Sequence, residues 1–264
     1  MKIFNILLMV SFPATILADW ETNMPRGVTP TSEVAYDLHM LIFYITVVIG
    51  ILVFGAMLYS IIYHRKSLGY KPAKFHESTK VEIIWTVIPF IILVGMAVPA
   101  TKALIMMEDT GDSEITLKVT GYQWMWQYEY LEDNVSFFSK IDNESNVARR
   151  LNSGIEVTEV DHYLRNVDNV VVLPTETKVR ILLTASDVIH AWWVPELGGK
   201  KDAIPGYINE LWVDIKEPGT YRGQCAELCG KDHGFMPIVV KAVPKNEYYK
   251  WVSIKKSNKV AKTK

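Results

Sequence analysis

The sequence is poor in cysteine and has no excess of positive charge, and each shortage excludes a class of protein. The 264 residues contain two cysteines, too few for the disulfide framework of a small secreted domain. The formal net charge is −1, and residues 108–250 hold 23 acidic against 15 basic side chains. An acidic region of this size argues against nucleic-acid binding and favours a basic partner. The chain also lacks internal repeats and the Cys-x-x-Cys-His pattern of covalently attached haem.

The first residues have the pattern of a secretory signal peptide. Lys2 supplies a positive charge, an apolar stretch follows, and Ala18 precedes the polar Asp19. We therefore interpret residues 1–18 as a signal peptide. A short membrane anchor is the alternative, but the apolar run is too short for one.

Two longer apolar runs predict a pair of membrane helices. Residues 38–63 contain one histidine and no fully charged side chain, and residues 83–100 contain no charge. Each run is long enough to cross a hydrocarbon core of about 30 Å as a helix. We expect transmembrane helices over 38–63 and 81–101, preceded by an external segment over 19–37.

The segment between the two runs, residues 64–80, is rich in lysine and arginine. Positive charge marks the cytoplasmic side of a membrane protein, so both chain ends and everything after the second run are expected outside. Glu82 lies at the cytoplasmic start of the second helix. It is either an interfacial charge favoured by the helix dipole or a carboxylate where protons enter a channel.

Residues 108–250 have the pattern of an all-β domain. Short runs rich in valine, isoleucine and aromatic residues are separated by turn sequences, which is typical of a sandwich or barrel. A polar stretch over 140–165 interrupts these runs, and we interpret it as a long loop or excursion from the sheets. The basic tail over 253–264 is expected to be disordered. The predicted strands cover 115–120, 123–130, 170–173, 179–184, 188–194, 211–215 and 238–242.

One short segment concentrates metal ligands. Cys225, Cys229, His233 and Met236 fall within 12 positions, and His190 lies 35 residues before the first cysteine. This combination suits copper in an electron-transfer site better than zinc, calcium or magnesium. The second cysteine allows two thiolates to bridge two metal ions. A disulfide between the cysteines would leave His233 and Met236 unexplained, and structural zinc has no use for methionine.

The segment over 121–130 is the second one with an unusual composition, because it is rich in aromatic residues. Strand alternation would place Trp124, Trp126, Tyr128 and Tyr130 on one face, where they could simply form the core. However, a whole face of this size is hard to bury near a surface site. The alternative is that Trp124 is exposed beside copper, where it would serve both as a docking anchor and as the point where an electron enters.

These motifs together resemble subunit II of cytochrome c oxidase, bacterial and mitochondrial, over roughly residues 31–251. The resemblance rests on Val81-Glu-Ile-Ile-Trp85, Gly121-Tyr-Gln-Trp124-Met-Trp126, Lys201-Asp-Ala-Ile-Pro205-Gly206 and the segment from Cys225 to Met236. It implies a membrane-anchored, all-β cupredoxin domain, a Greek-key barrel or sandwich, over residues 108–250. It also implies a binuclear copper centre named CuA.

The resemblance assigns roles residue by residue. Cys225 and Cys229 are expected to bridge two coppers, with His190 and His233 as terminal ligands. Met236 and the backbone carbonyl of Glu227 are expected as weak ligands, and the Glu227 side chain is expected to reach a magnesium ion shared with subunit I. By the same resemblance, Trp124 is where cytochrome c delivers its electron, and Glu82 lies near the mouth of a proton channel.

The resemblance further implies partners and a location. Subunits I and III and cytochrome c are the expected protein partners, in a bacterial inner membrane with the copper domain on the periplasmic side. Two other functions share parts of the pattern. A quinol-oxidase subunit II has the same architecture without copper ligands, and a membrane-tethered copper carrier favours open sites of two or three ligands. The full ligand set argues against both.

Overall fold

Two long helices followed by a β-domain make up the computed structural model, which describes residues 23–74 and 76–262, with the side chains of 258–262 excepted. Helix α1 spans Pro30–Tyr63 and helix α2 spans Thr79–Glu108. Both contain an apolar stretch long enough to cross a membrane, as predicted. The predicted signal peptide lies outside the described residues.

Helix α1 begins eight residues before the predicted membrane span, at a capping box. The Thr29 hydroxyl accepts a hydrogen bond from the backbone N–H of Ser32, and the Ser32 hydroxyl accepts one from the N–H of Thr29. Thr29 also donates to the backbone carbonyl of Leu197 at 3.0 Å, and both capping side chains are buried. The cap therefore both starts the helix and attaches it to the β-domain.

Helix α2 extends seven residues past its predicted end at 101 and makes the second attachment. The Trp212 indole donates to the backbone carbonyl of Met106 at 3.1 Å, and Lys201 forms an ion pair of 2.9 Å with Glu108. The last turn of an α-helix leaves carbonyl groups without intrahelical partners, and Trp212 satisfies one of them. These polar helix ends were missed because membrane-span prediction follows hydropathy alone.

The β-domain is a sandwich of two five-stranded sheets. One sheet has the order β3-β2-β1-β5-β8 and the other β4-β10-β9-β6-β7, where the strands are β1 (Ile115–Tyr122), β2 (Met125–Tyr130), β3 (Val135–Ser139), β4 (Val171–Pro174), β5 (Lys178–Ala185), β6 (His190–Val194), β7 (Gly199–Ala203), β8 (Asn209–Asp214), β9 (Gly219–Cys225) and β10 (Pro237–Val243). Strands β1 and β5 are parallel, as are β4 and β10, and the other pairs within the sheets are antiparallel. The predicted membrane-anchored all-β architecture is confirmed.

Alternating side chains of the two sheets form the core between them. Leu117 and Val119 of β1 face Ile181 and Leu183 of β5 across their parallel ladder, and all four side chains are fully buried. Burying an aliphatic side chain of this size contributes about 1.5–3 kcal/mol to folding. The core continues to the end of the sandwich that carries the ligand segment, because Cys225, Cys229 and Met236 belong to the same buried cluster.

The polar excursion and the basic tail both differ from expectation. The excursion contains a short helix, α3 (Asn143–Ala148), in an otherwise irregular path. The tail was predicted to be disordered, which is wrong for 253–262, because these residues continue helix α4 (Lys245–Lys262). Tyr248 and Val252 lie one helical turn apart on α4 and are buried against the sandwich, and this packing outweighs the basic composition.

Candidate metal centre

The ligand residues come from three strands that meet at one end of the sandwich. Cys225 is the last residue of β9, Met236 directly precedes β10, and Cys229 and His233 lie on the connection between them. His190 is the first residue of β6, which pairs with β9 through Trp192 and Cys225. This pairing places His190 beside Cys225 despite their separation in the sequence.

Four donor atoms form a compact cluster of two sulfurs and two imidazole nitrogens, and those of His190, Cys225 and Cys229 all lie within 4.8 Å of one another. The Cys225 and Cys229 Sγ atoms are 3.8 Å apart. Nδ1 of His190 lies 3.9 Å from the Cys225 sulfur, and Nδ1 of His233 lies 3.5 Å from the Cys229 sulfur. The Glu227 backbone carbonyl approaches the Cys225 sulfur at 3.4 Å. The structure therefore brings together five of the six predicted donors by measured distance.

Met236, the sixth predicted donor, is fixed to the same loop. Its side chain is buried, and its backbone carbonyl accepts a hydrogen bond of 3.1 Å from the Cys225 N–H. His190, Cys225 and Cys229 are also buried, whereas His233 is half-buried. The donor set is consequently shielded from water on the His190 side and open towards His233.

The two cysteines are free thiols. Their sulfurs lie 3.8 Å apart, far beyond a disulfide bond of about 2.05 Å. The alternative of a disulfide therefore does not describe this structure. Two thiols and two imidazoles in van der Waals reach of one another, with a buried thioether, form a soft donor set that fits copper.

The two thiols differ in acidity. Burial opposes ionisation of Cys225, but hydrogen bonds with His190, with the Ala191 and Glu227 backbone and with His233 together outweigh it and lower the pKa of this thiol to about 7. At Cys229, burial and the negative charge of Cys225 act together and raise the pKa to about 12. The thiolate is the form that binds metal, so Cys225 is the thiol prepared to ionise first.

Asp187 orients the His190 ring from the side away from the sulfurs. Its Oδ1 lies 2.9 Å from Nε2 of His190, and its carboxylate also accepts hydrogen bonds of 2.7 Å from the backbone N–H groups of Gln123 and Val188. Burial of Asp187 is outweighed by these hydrogen bonds, which lower its pKa. A carboxylate on the remote nitrogen fixes the tautomer that leaves Nδ1 free for a metal.

Trp124 packs directly on the ligand loop. Its indole N–H donates to the Cys229 backbone carbonyl at 3.0 Å, and the Gln123 side chain donates to the same oxygen at 2.8 Å. Trp124 is half-buried, whereas Trp126, Tyr128 and Tyr130 of β2 are fully buried. The expectation that this aromatic face would be hard to bury is therefore wrong for the residues of β2. Trp124 is less buried than they are because it precedes the strand.

Two glycines allow these close approaches. A Cβ atom at Gly121 would lie 2.7 Å from the His190 ring, and one at Gly230 would lie 3.1 Å from the Trp124 ring. Gly230 also has a φ of 112°, which other residues rarely adopt. The sequence shows these glycines beside the motifs, but their purpose depends on contacts between distant segments.

The remaining predicted residues lie elsewhere. Glu82 is in the first turn of α2, at the opposite end of that helix from the β-domain. Glu227 is exposed, in contrast to the buried donors Cys225 and Cys229. Among the acidic residues of the domain, Glu132 and Asp133 follow the far end of β2. That strand separates them from Trp124 by about 20 Å, so the acidic residues do not form one patch.

Comparisons with protein families and with individual proteins point to the same family. The family "Cytochrome C oxidase subunit II, periplasmic domain" matches residues 115–243, and its transmembrane counterpart matches residues 18–103. The chain is 41% identical over 243 residues to a probable cytochrome c oxidase subunit 2 of Rickettsia prowazekii, covering 92% of this chain and 74% of the relative. It is 35% identical over 254 residues to cytochrome c oxidase subunit 2 of Arabidopsis thaliana, covering 96% of each.

A crystal structure of the periplasmic domain of subunit II of cytochrome oxidase from Bradyrhizobium japonicum is also similar. It is 37% identical, with a TM-score of 0.49, and the match covers 56% of this chain and 98% of that one. The two family matches and the sequence relatives decide the assignment, because together they extend over both membrane helices and the β-domain. This chain belongs to the cytochrome c oxidase subunit II family.

Proposed function

We propose that this chain is the electron-accepting subunit of a haem–copper oxidase and that it holds a binuclear copper centre. The observation that carries the proposal is the cluster of four donors, in which two adjacent sulfurs each lie within 4 Å of an imidazole nitrogen, that of His190 for Cys225 at 3.9 Å and that of His233 for Cys229 at 3.5 Å. Cys225 and Cys229 would hold the two coppers jointly, and His190 and His233 would each add a ligand. Bound there, two coppers would supply one-electron redox chemistry.

The protein's own contribution is a rigid, largely dry cage. Cys225, Cys229 and Met236 belong to the hydrophobic core, and Asp187 fixes the ring of His190. The Glu227 carbonyl, 3.4 Å from the Cys225 sulfur, and the buried Met236 thioether are proposed as weaker ligands, one to each copper. A buried and preorganised donor set changes little when its charge changes, which favours fast electron transfer over metal exchange.

Trp124 is the proposed point where the electron enters. Its indole contacts the Cys229 carbonyl through one hydrogen bond of 3.0 Å, so only the covalent bonds of one residue separate it from a ligand sulfur. The ring is half-buried and accessible to a partner. Leu228, which is 83% exposed, and Ile189 and Tyr207 supply exposed apolar surface at the same end of the domain.

We propose cytochrome c as the donor and subunits I and III as neighbours. The acidic domain favours a basic donor, and the electron passes on to haem in subunit I. The exposed Glu227 side chain is available to a magnesium ion shared with subunit I. Glu82, at the other end of α2, is proposed at the mouth of a proton channel.

The proposed orientation places the β-domain on the periplasmic side of a bacterial inner membrane. The loop between α1 and α2 carries Arg65, Lys66, Lys71 and Lys74, which favours the cytoplasmic side for that loop. Both ends of the described chain then face outward, together with the metal centre.

The proposal is tested by replacing one bridging thiol in the purified oxidase. Cys229→Ser should slow oxidation of cytochrome c by about a hundredfold or more, since even groups outside the ligand set of metal sites have effects of that order. Stopped-flow reduction of the oxidase by cytochrome c measures this directly. Gly234→Ala, in the same loop with open space around its Cα, is the matched control and should retain the normal rate. An unchanged rate in Cys229→Ser would contradict the proposal.

A further inference from the structure

A groove runs between the two membrane helices at the end nearest the β-domain. Its upper part is a cavity of about 380 Å³, and its lower part is a cavity of about 160 Å³. Leu38 and Leu41 of α1 line both parts, so the two cavities are adjacent along the helix pair. On α2 the groove is lined largely by small or compact residues, which leave space beside the leucines: Ala97, Pro99, Ala100 and Ala103.

The upper part of the groove carries one charge of each sign. Asp37 on α1 and Lys102 on α2 both line it, and both side chains are exposed. Within the described part of the chain, neither forms an ion pair, in contrast to the nearby Glu108, which is paired with Lys201. The groove therefore presents a carboxylate and an ammonium group that are available to a ligand.

The two charges lie at the boundary of the membrane. Asp37 directly precedes the apolar run that starts at residue 38, and Lys102 follows the run that ends at residue 100. Because the helices are antiparallel, the two residues are at the same level. Ile42 and Met96, in the lower part, are five and six residues further along, which corresponds to about 8–9 Å deeper. The groove is thus polar at headgroup level and apolar below it.

We propose that this groove binds one phospholipid with a zwitterionic, primary-amine headgroup, of the phosphatidylethanolamine class. The Lys102 ammonium contacts the lipid phosphate, and the Asp37 carboxylate accepts hydrogen bonds from the lipid amine. One acyl chain lies along Leu38, Leu41 and Met96. The inference does not depend on the metal centre, because no residue of the groove contacts a ligand residue.

The charge pattern selects this headgroup among the membrane's lipids. An anionic phosphatidylglycerol would satisfy Lys102 but would leave Asp37 facing a negative phosphate without a cation. A trimethylated choline headgroup carries no N–H and cannot donate to Asp37. Charge-assisted hydrogen bonds are the stronger ones, so the primary amine is preferred. An apolar helix of another subunit would fill the lower groove but would leave both charges unsatisfied in the upper part.

The lipid bound to the purified oxidase complex identifies the occupant. The complex is equilibrated in micelles containing equal amounts of phosphatidylethanolamine and phosphatidylglycerol, and native mass spectrometry counts the retained lipid. Asp37→Asn should lower the preference for phosphatidylethanolamine about fivefold, the effect of losing one hydrogen bond. Lys102→Gln should lower the occupancy of both lipids. Asp37→Lys should reverse the preference in favour of phosphatidylglycerol.

The control removes a carboxylate from elsewhere on the chain. Glu77→Gln, in the exposed loop between the two helices, should retain the lipid selectivity of the unmodified complex. Two results would overturn the proposal. One is equal selectivity in Asp37→Asn, Asp37→Lys and the unmodified complex. The other is loss of subunit I from the Lys102→Gln complex with no change in lipid content, which would make the groove a contact between subunits.

Discussion

Single residues connect the surface of the domain to its buried donors. The Trp124 indole and the Gln123 amide both donate to the Cys229 carbonyl, so the ligand loop is fixed by the same segment that we propose as the partner's contact. Gly230 makes this contact possible, because its backbone conformation and its missing side chain leave room for the indole ring. In the proposed function, binding of a partner and electron transfer would both involve the hydrogen bond between Trp124 and Cys229.

Replacing Trp124 separates these two roles. Trp124→Phe keeps most of the apolar area but removes the N–H that contacts Cys229. We expect the affinity for cytochrome c to stay within about tenfold, or about 1.4 kcal/mol, while electron transfer within the complex slows far more. Flash photolysis measures the transfer rate, and a melting curve measures stability. A destabilised variant with a normal transfer rate would show that Trp124 is only a packing residue.

Gly230 offers a second test at the same contact. In Gly230→Ala the new Cβ meets the Trp124 ring at 3.1 Å and the backbone retains a strained φ of 112°. We expect the free energy of unfolding to fall by about 1–3 kcal/mol and electron transfer to slow. Gly234→Ala, which meets no atom within 4 Å, should be close to neutral in both measurements. Equal effects of the two substitutions would contradict the role of Gly230.

The ligand residues could be predicted from the sequence, because Cys225, Cys229, His233 and Met236 share one short loop and their chemistry is unusual together. The contacts between distant segments of the chain could not be predicted from the sequence. Asp187 has an ordinary charge in the sequence, and its role comes from a strand pairing that places His190 against Cys225. Charge alone also does not reveal that β2 separates Asp133 from Trp124.

At the scale of elements, the least predictable strands are those whose side chains face solvent. Strand β7 has the sequence Gly-Lys-Lys-Asp-Ala and lies at a sheet edge, where charged residues prevent further pairing. Strand β9 is central, yet five of its seven residues are only partly buried, so it lacks an apolar run. Strands β1 and β5 were predictable because their alternating apolar residues fill the core.

Helix α4 closes the opposite end of the sandwich through a buried polar contact. The Tyr248 hydroxyl donates to the Asp133 carboxylate at 2.8 Å, and Lys256 forms an ion pair with the same carboxylate at 3.1 Å. Burial and the neighbouring Asp133 charge raise the pKa of Tyr248. The helix is thereby joined to the turn between β2 and β3, which its basic composition alone does not indicate.

Removing the Tyr248 hydroxyl measures this contact. Tyr248→Phe should lower the free energy of unfolding by about 1–2 kcal/mol, whereas Tyr249→Phe, on the exposed side, should change it by less than about 0.5 kcal/mol. Because the pKa of Tyr248 is raised in the folded state from an ordinary value of 10.0, its contribution is complete below that pH and declines above it. The difference between Tyr248→Phe and the unmodified protein should therefore shrink in alkaline denaturation curves. A difference that grows with pH would contradict this assignment.

At the scale of the whole molecule, charge is divided between two parts. Residues 108–250 have a formal balance of −8, and the remainder of the chain has a balance of +7. The two parts are joined at Thr29 and Leu197 and at Trp212 and Met106, which hold the acidic domain at one end of the helix pair. The long-range field of the domain, more than any single patch, is therefore available to attract a basic protein.

The association rate with cytochrome c tests this field. Exposed charges act mainly on the rate of encounter, and the Debye length falls from about 10 Å at 0.1 M salt to about 3 Å at 1 M. We expect the second-order rate measured by stopped flow to fall steeply over this range, with little change in the transfer rate inside the complex. A second-order rate that does not depend on salt would contradict an electrostatic attraction.

Copper counting combined with electron paramagnetic resonance tests whether Cys225 and Cys229 hold two coppers jointly. We expect two coppers per chain and a hyperfine pattern from one unpaired electron shared by both nuclei. Cys225→Ser and Cys229→Ser should each abolish that pattern, because each thiolate would serve both metals. A single copper per chain, or an unaltered two-copper pattern in Cys225→Ser, would show that the two thiols do not share a binuclear centre.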